Sequence, residues 1–275
     1  MQILRLAAFA EGAEGGNPAG VVLLDALPDA AVMQQVAAEV GYSETAFAAR
    51  QGDGWRVRYF SPGSEVPFCG HATIALGAAL ALRHGDGEYA LQLNQAAIRV
   101  QGRREDGRIA ATLQSPPTWS RAIAPEWLEE ALQLFGLSTA DLDPVLAPAH
   151  IHAGADHLLL PLRSRSRLAA MHYALDAGRE LMHRAGWITI ALVWAESAQR
   201  FHARNAFASG GVYEDPATGA AAAAFAGYLR DAGWPHEGAI QIVQGEDMGM
   251  RSLLRVDMAP AAGSPVLVSG DVRLL

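Results

Sequence analysis

The fold of this chain is decided by the stretch Glu65-Val-Pro-Phe-Cys-Gly-His-Ala-Thr-Ile-Ala-Leu-Gly-Ala-Ala-Leu-Ala-Leu82. From Ala72 to Leu82 it consists of Ala, Ile and Leu, apart from Thr73 and Gly77. A helix that is apolar on every side has no face for water, so it is predicted to lie inside a folded unit. Its polar start, Cys69-Gly-His71, presents N–H groups without intrahelical partners. A bound anion is a natural acceptor for them, and the stretch therefore predicts a functional site.

A second stretch of the same kind, Glu214-Asp-Pro-Ala-Thr-Gly-Ala-Ala-Ala-Ala-Ala-Phe-Ala-Gly-Tyr-Leu229, lies in the C-terminal half. When the two stretches are aligned without gaps, four positions carry identical residues. The pairs are Glu65 and Glu214, Pro67 and Pro216, Gly70 and Gly219, and Ala72 and Ala221. Chance is one explanation, since Ala and Gly are abundant, but a duplicated unit explains the match better. Duplication predicts two lobes, each built around one central helix, with the two helix starts facing one another across a cleft.

Composition narrows the functional class. The chain has 275 residues, of which 51% are hydrophobic and 18% charged, so it can bury a substantial core. A formal net charge of −8 argues against nucleic acid and anionic membrane as partners. There is no breaker-free apolar run of about 18 residues, as a membrane helix requires, and no signal-peptide pattern. The single cysteine excludes an intrachain disulfide. We therefore expect a cytoplasmic protein.

The element pattern predicts an α+β fold. Strand-like segments outnumber helical ones, and tight-turn signals such as Asp106-Gly107 join them into antiparallel meanders. We expect two pseudo-symmetric lobes, each a mixed, mostly antiparallel sheet wrapped around a central buried helix. Paired prolines disfavour helix and central strand, which makes Gln114-Ser-Pro-Pro-Thr-Trp-Ser120 the best linker. The predicted lobes are residues 1–116, with residues 264–275 as a candidate completing strand, and residues 117–263.

Four side chains are candidates for acid–base chemistry. Glu44 enters an apolar strand, where burial favours the neutral carboxyl form that a general acid needs; capping a turn is the alternative. His71 either relays a proton or caps its helix. Asp215 precedes the second buried helix, at a place where Asp commonly caps. Cys69 is either a thiolate at a helix start or a packing residue, and its spacing implies no base partner.

The sequence does not predict a metal or a nucleotide cofactor. His150-Ile-His152 and His157 have no Glu or Cys at a recognised ligand spacing. The Gly-rich loop at residues 12–20 lacks the Gly-x-Gly-x-x-Gly order and the Lys-Ser/Thr pair of phosphate-binding loops. We therefore expect chemistry that depends on side chains alone.

Four motifs follow one another along the chain in a defined order. They are Gly16-Asn-Pro-Ala-Gly-Val-Val22, Ser43-Glu-Thr-Ala-Phe47, Phe68-Cys-Gly-His-Ala-Thr73 and Glu214-Asp-Pro-Ala-Thr-Gly219. In this order they resemble the phenazine-biosynthesis isomerase-like (PhzF-like) family. The resemblance implies the diaminopimelate-epimerase-like fold, in which two pseudo-symmetric lobes surround one central helix each and the site lies between them.

The resemblance also implies roles for individual residues. Glu44 would be the acid/base that transfers the proton, with His71 and Asp215 as further catalytic residues. The implied substrate-binding residues are Asn17, Gly70, Thr73, Gly219 and Ala220. In phenazine producers the family reaction is isomerisation of a dihydro-hydroxyanthranilate, without any cofactor, and members are commonly homodimers. The prediction is therefore a cofactor-independent isomerase of a small carboxylated substrate.

Two positions depart from related enzymes. Related epimerases carry a cysteine at each helix start, whereas this chain has Cys69 and Thr218 there. A threonine hydroxyl is far too weak an acid to replace a thiol, so a two-thiol epimerase is disfavoured. Ala220 stands where the family often has Ser. An amino-acid racemase or epimerase, and a small-acid-binding protein without catalysis, are the two alternatives to the isomerase.

Overall fold

A computed structural model describes the whole chain, Met1–Leu275. The α-helices are α1 (Ala30–Val40), α2 (Gly70–His84), α3 (Pro125–Leu134), α4 (Arg165–Ala169), α5 (Leu175–Ala185) and α6 (Gly219–Asp231). The first strands are β1 (Leu4–Ala8), β2 (Asn17–Leu24), β3 (Thr45–Gln51), β4 (Gly54–Phe60), β5 (Glu65–Val66), β6 (Gly87–Gln92), β7 (Ala97–Glu105) and β8 (Arg108–Gln114). The remaining strands are β9 (Trp119–Ala122), β10 (Ala149–His152), β11 (Asp156–Pro161), β12 (Thr189–Ala195), β13 (Arg200–Phe207), β14 (Val212–Asp215), β15 (Ala239–Gln244), β16 (Ser252–Met258) and β17 (Val266–Leu274).

The chain divides into two compact units. The N-terminal unit comprises Met1–Gln114 and Ser269–Leu275, and the C-terminal unit comprises Ser115–Val268. The predicted α+β class is confirmed, because both units combine helices with mixed sheet. No helix has both the length and the apolarity that a membrane span requires.

The strands of the N-terminal unit form a sheet that closes on itself. β2 pairs in parallel with β3, and β4 in parallel with β6, whereas β1–β2, β3–β4, β6–β7 and β7–β8 are antiparallel. The last strand, β17, pairs with both β8 and β1 and so completes the ring. A sheet closed on itself has no free edge, and its interior has to be filled by side chains or by another element.

Helix α2 fills that interior. It packs against β1, β2, β7 and β8, and every residue from His71 to Ala81 is buried, as its apolar sequence predicts. The helix can lie this close to β7 because two glycines meet. A Cβ atom on Gly102 would lie 2.2 Å from the carbonyl oxygen of Gly77, which leaves no room for any side chain.

The C-terminal unit repeats this order of pairings. β10–β11 is antiparallel, β11–β12 parallel, β12–β13 antiparallel and β13–β15 parallel, with the short strand β14 on β13 as β5 is on β4. β15–β16 and β9–β10 are antiparallel. Helix α6 packs on β9, β10, β11 and β16, and almost all of its residues are buried. The second apolar stretch is therefore also an interior helix, as expected.

Two local predictions were wrong. The Gly-rich segment is not a loop up to residue 20, because β2 begins at Asn17 and pairs with β1 from Asn17 to Val21. The proline linker is shorter than predicted, since Trp119 already belongs to β9 and Thr118 is buried. The division between units falls after Gln114, close to the boundary expected at Pro116.

Candidate active site

Glu44 is positioned by the parallel pair β2–β3. It directly precedes β3, and its carbonyl oxygen accepts a hydrogen bond of 3.1 Å from the N–H of Gly20. A Cβ atom on Gly20 would come within 2.7 Å of Thr45 Oγ1, so the two strands approach closely at this point. The backbone around Glu44 is thus held by the sheet, while its side chain keeps 12% of its surface exposed.

Cys69 is the N-cap residue of α2, with extended backbone angles (φ −145°, ψ 118°). Its carbonyl oxygen accepts hydrogen bonds from Thr73 N at 3.0 Å and from Thr73 Oγ1 at 2.7 Å. These bonds fix the start of the helix, and they place the thiol of Cys69 and the imidazole of His71 in its first turn. Both side chains are buried.

The carboxylate, the thiol and the imidazole meet in the N-terminal unit. Oε2 of Glu44 lies 3.4 Å from Nε2 of His71 and 3.5 Å from Sγ of Cys69. Sγ of Cys69 is 3.3 Å from Nδ1 of His71. Ser43 Oγ lies 3.3 Å from Nε2 of the same ring. The structure therefore brings Glu44 and His71 together as the sequence analysis expects, and it adds Cys69 and Ser43.

This arrangement can hold and move a proton. A neutral imidazole donates from one ring nitrogen and accepts at the other. His71 can therefore face the thiol with Nδ1 and the carboxylate with Nε2, and the thiol of Cys69 can donate to Glu44 directly. A carboxylate within hydrogen-bonding reach of two further proton carriers is suited to general acid–base catalysis.

Thr73 lies on the interior side of α2. Its hydroxyl is 2.7 Å from the hydroxyl of Tyr59, it donates to the carbonyl of Cys69, and the residue has no exposed surface. Burial raises the pKa of Tyr59, so the phenol keeps its proton for this contact. Thr73 therefore supports the helix start from inside the barrel, and its contact with a substrate stays a prediction.

The other predicted residues of the N-terminal unit lie at element starts. Gly70 is the first residue of α2 and is half-buried, so its N–H belongs to the helix terminus. Asn17 is the first residue of β2, opposite Ala8 of β1, and only 2% of it is exposed.

The start of α6 is built differently in the C-terminal unit. Asp215 ends β14, and its Oδ2 accepts a 2.5 Å hydrogen bond from the hydroxyl of Thr218, the N-cap residue. Gln244 holds this turn, because its Nε2 donates to the carbonyl of Asp215 at 2.7 Å and to Thr218 Oγ1 at 3.1 Å. Gly219 opens the helix and is buried, whereas Ala220 is half-buried. The predicted residues of this half thus form one connected helix start.

An arginine–glutamate pair precedes each helix start. Arg58 binds both carboxylate oxygens of Glu65, at 2.7 and 2.6 Å. Arg204 binds those of Glu214 at 3.0 and 2.5 Å, and this second pair is almost fully buried. Because Arg58 donates to Glu65, the pKa of that carboxyl lies below its usual value. The two pairs lock the short strands that lead into α2 and α6.

The histidines that suggested a metal have other partners. His150 and His152 both contact Oδ1 of Asp156, at 2.7 and 3.2 Å. His157 is fully buried with Nδ1 2.7 Å from Thr189 Oγ1, and burial lowers its pKa to about 3. By contrast, Glu44, Cys69 and His71 offer three potential ligand atoms within 4.8 Å of one another.

Two functional candidates escaped the sequence analysis. Ser43 was part of a quoted motif without a role, and Gln244 lies far along the chain from the turn it holds. For Cys69, whose spacing along the chain implied no base partner, the structure provides one, because His71 contacts its thiol. The spacing of two residues did not predict this contact, because such residues do not share a helix face; the extended backbone of Cys69 at the N-cap brings its thiol to the ring.

Comparison with known proteins gives consistent matches over the whole chain. The family described as phenazine biosynthesis-like protein matches residues 6–272. An uncharacterized isomerase of Deinococcus radiodurans is 35% identical over 233 residues, which cover 83% of this chain and 76% of that protein. A trans-2,3-dihydro-3-hydroxyanthranilate isomerase of Pseudomonas aeruginosa is 31% identical over 275 residues, covering 96% and 93%. The crystal structure of a PhzF-family phenazine biosynthesis protein of Bacillus anthracis has the same fold, with a TM-score of 0.85 at 22% identity, covering 100% and 98%.

Proposed function

Because the chain belongs to the phenazine biosynthesis-like family, we propose that it is a cofactor-independent isomerase in which Glu44 moves a proton on a small carboxylate-bearing substrate. Relatives that cover most of the chain are isomerases, and one is named for the isomerisation of trans-2,3-dihydro-3-hydroxyanthranilate. The reaction class rests on these relatives, whereas the choice of acid/base rests on the geometry of the N-terminal unit.

The observation that carries the proposal is the position of the Glu44 carboxylate. The Glu44 side chain is 12% exposed, and its carboxylate contacts two buried residues, His71 and Cys69. In the reaction, Glu44 accepts a proton from one carbon of the substrate and returns it to another. His71 holds the carboxylate and adjusts its hydrogen bonding as the charge changes.

We further propose that helix starts bind the carboxylate of the substrate. Gly70 opens α2 and Gly219 opens α6, and the free N–H groups of a helix start favour an anion. Asp215, Asn17 and Ala220 complete the proposed substrate-contacting set. Ala220 carries no hydroxyl, so at this position the chain offers the substrate a methyl group and no side-chain hydrogen bond.

The test is proton exchange with solvent. Cyclic and aromatic carboxylic acids that raise the melting temperature are incubated with the protein in D₂O, and deuterium in the product is followed by NMR. Glu44→Gln is expected to lower the exchange rate by about 100- to 10,000-fold. Glu88→Gln, an exposed carboxylate of β6, is the matched control and should exchange like the wild type. Wild-type exchange by folded Glu44→Gln would overturn the assignment.

The same experiment separates the alternatives. Deuterium at a stereocentre with inversion would indicate a racemase or epimerase, and binding without any exchange would indicate a binding protein. A homodimer and a cytoplasmic location remain predictions; sedimentation of the purified protein and fractionation of its source cells test them.

A further inference from the structure

The cluster formed by Glu44, Cys69 and His71 also has the composition of a metal site. Cys69 offers a thiolate, His71 an imidazole nitrogen and Glu44 a carboxylate oxygen, from a helix start and a strand start in the same unit. Thiolate, imidazole and carboxylate are the three ligand types that Zn²⁺ accepts in proteins. We propose that Glu44, Cys69 and His71 bind a thiophilic divalent cation of the zinc type, and that this binding inhibits the enzyme.

The spacing of the ligand atoms supports the proposal. With ordinary zinc bond lengths, the nitrogen and oxygen ligands of a tetrahedral site stand about 3.4 Å apart, and the sulfur stands about 3.6 Å from each. Here Nε2 of His71 and Oε2 of Glu44 are 3.4 Å apart, and Sγ of Cys69 is 3.5 Å from that oxygen and 3.9 Å from that nitrogen. The three atoms therefore need to move by only a few tenths of an ångström.

The charges of the site favour a divalent cation. A metal binds the thiolate of Cys69, the carboxylate of Glu44 and the neutral imidazole of His71, so a divalent cation balances the charge of the ligand set. The positive end of α2 opposes a cation but stabilises the thiolate that binds it. Cys69 and His71 are buried, so the site needs no large ordering of side chains. The exposed edge of Glu44 leaves a position for water as the fourth ligand.

A bound cation would stop proton transfer by occupying Oε2 of Glu44, the atom that we assign to the substrate proton. This inhibitory part rests on the proposed function, whereas metal binding itself does not. Cobalt(II) is a suitable probe, because a cobalt–thiolate bond gives a charge-transfer absorption in the near ultraviolet that other ligands do not.

The experiment titrates the reduced, metal-free protein with Co²⁺ and then with Zn²⁺. We expect one equivalent of cobalt with a thiolate absorption that zinc abolishes. Cys69→Ser should lose the absorption and weaken zinc binding by at least about 100-fold, more than loss of an outer-shell partner costs. His150→Gln, which removes a histidine of the Asp156 cluster in the other unit, should bind like the wild type.

Two results would overturn the proposal. One is the absence of a thiolate absorption at millimolar Co²⁺, and the other is equal affinity of wild type and Cys69→Ser. If cobalt binds as expected but Glu44→Gln retains full exchange activity, the metal site stands and the proposed role of Glu44 fails. If zinc fills the site while exchange continues at the wild-type rate, the inhibitory role is wrong.

Discussion

Nε2 of His71 lies 3.4 Å from Oε2 of Glu44, so the first turn of a buried helix contacts the residue that opens a neighbouring strand. Ser43 approaches the same nitrogen at 3.3 Å. The histidine therefore orients the proposed acid/base and is itself oriented by a hydroxyl and a thiol.

From this contact we predict the effect of removing the ring. In His71→Ala the Glu44 carboxylate loses the imidazole and keeps only the weak thiol donor of Cys69, so it shifts; a displacement of about 1 Å in an active site costs on the order of 100-fold in rate. We expect kcat to fall by about that factor with the fold retained, measured by deuterium exchange and circular dichroism. Ser43→Ala should cost less, because Cys69 still orients the ring. An unchanged kcat in His71→Ala would contradict this role.

The second prediction compares the two arginine–glutamate pairs. Breaking a buried ion pair leaves an uncompensated charge and costs about 3–5 kcal/mol, whereas a partly exposed pair contributes about 0–1 kcal/mol. Arg204 and Glu214 are almost fully buried, but Arg58 and Glu65 expose about a quarter of their side-chain surface. Arg204→Ala should therefore lower the free energy of unfolding several times more than Arg58→Ala in urea denaturation. An equal loss of unfolding free energy in the two variants would show that burial does not determine how much each ion pair stabilises the protein.

The third prediction concerns acid stability. The pKa of His157 is lowered to about 3 by burial, against about 6.5 in an unfolded chain. The unfolded state therefore takes up a proton first as the pH falls below 6.5, and between pH 6.5 and 3 this residue lowers stability by up to about 1.4 kcal/mol per pH unit. His157→Gln cannot titrate, so its stability should depend less steeply on pH in this window. If the free energy of unfolding depended equally on pH in the wild type and in His157→Gln, His157 would not be the cause of the acid destabilisation.

The fourth prediction uses an unpaired amide in the C-terminal unit. Neither Nδ2 nor Oδ1 of Asn205 has a hydrogen-bond partner in the protein, although the residue is 1% exposed and lines a small cavity with Ala222 and Gln244. The corresponding strand position of the N-terminal unit, opposite Val66, is filled by Tyr59.

Replacing an unpaired buried amide by an apolar group of the same shape removes a desolvation cost of about 1–3 kcal/mol. We expect Asn205→Leu to raise the melting temperature. Gln244→Leu makes the same change at a side chain that is hydrogen-bonded to Asp215 and Thr218, and should lower it. A loss of stability in Asn205→Leu would mean that a buried water completes the hydrogen bonds of this amide.

The sequence by itself determined the parts that depend on local pattern. A helical stretch that is apolar on every side after a polar turn requires an interior helix, and both such helices were found. The α+β class follows from strand-like segments joined by tight turns. The four motifs identified the family because they carry residue identities that a fold alone does not require.

Tertiary structure alone decided which chemical groups touch. Glu44 contacts Cys69 and His71 because the parallel pairing of β2 with β3 brings it to the start of α2. This contact cannot be predicted from the spacing of the three residues along the chain. For the same reason Gln244 supports Asp215 from a distant strand, and Thr73, polar by sequence, points into the barrel towards Tyr59. Sequence periodicity specifies which face of an element is buried, whereas the partner on that face is chosen by long-range packing.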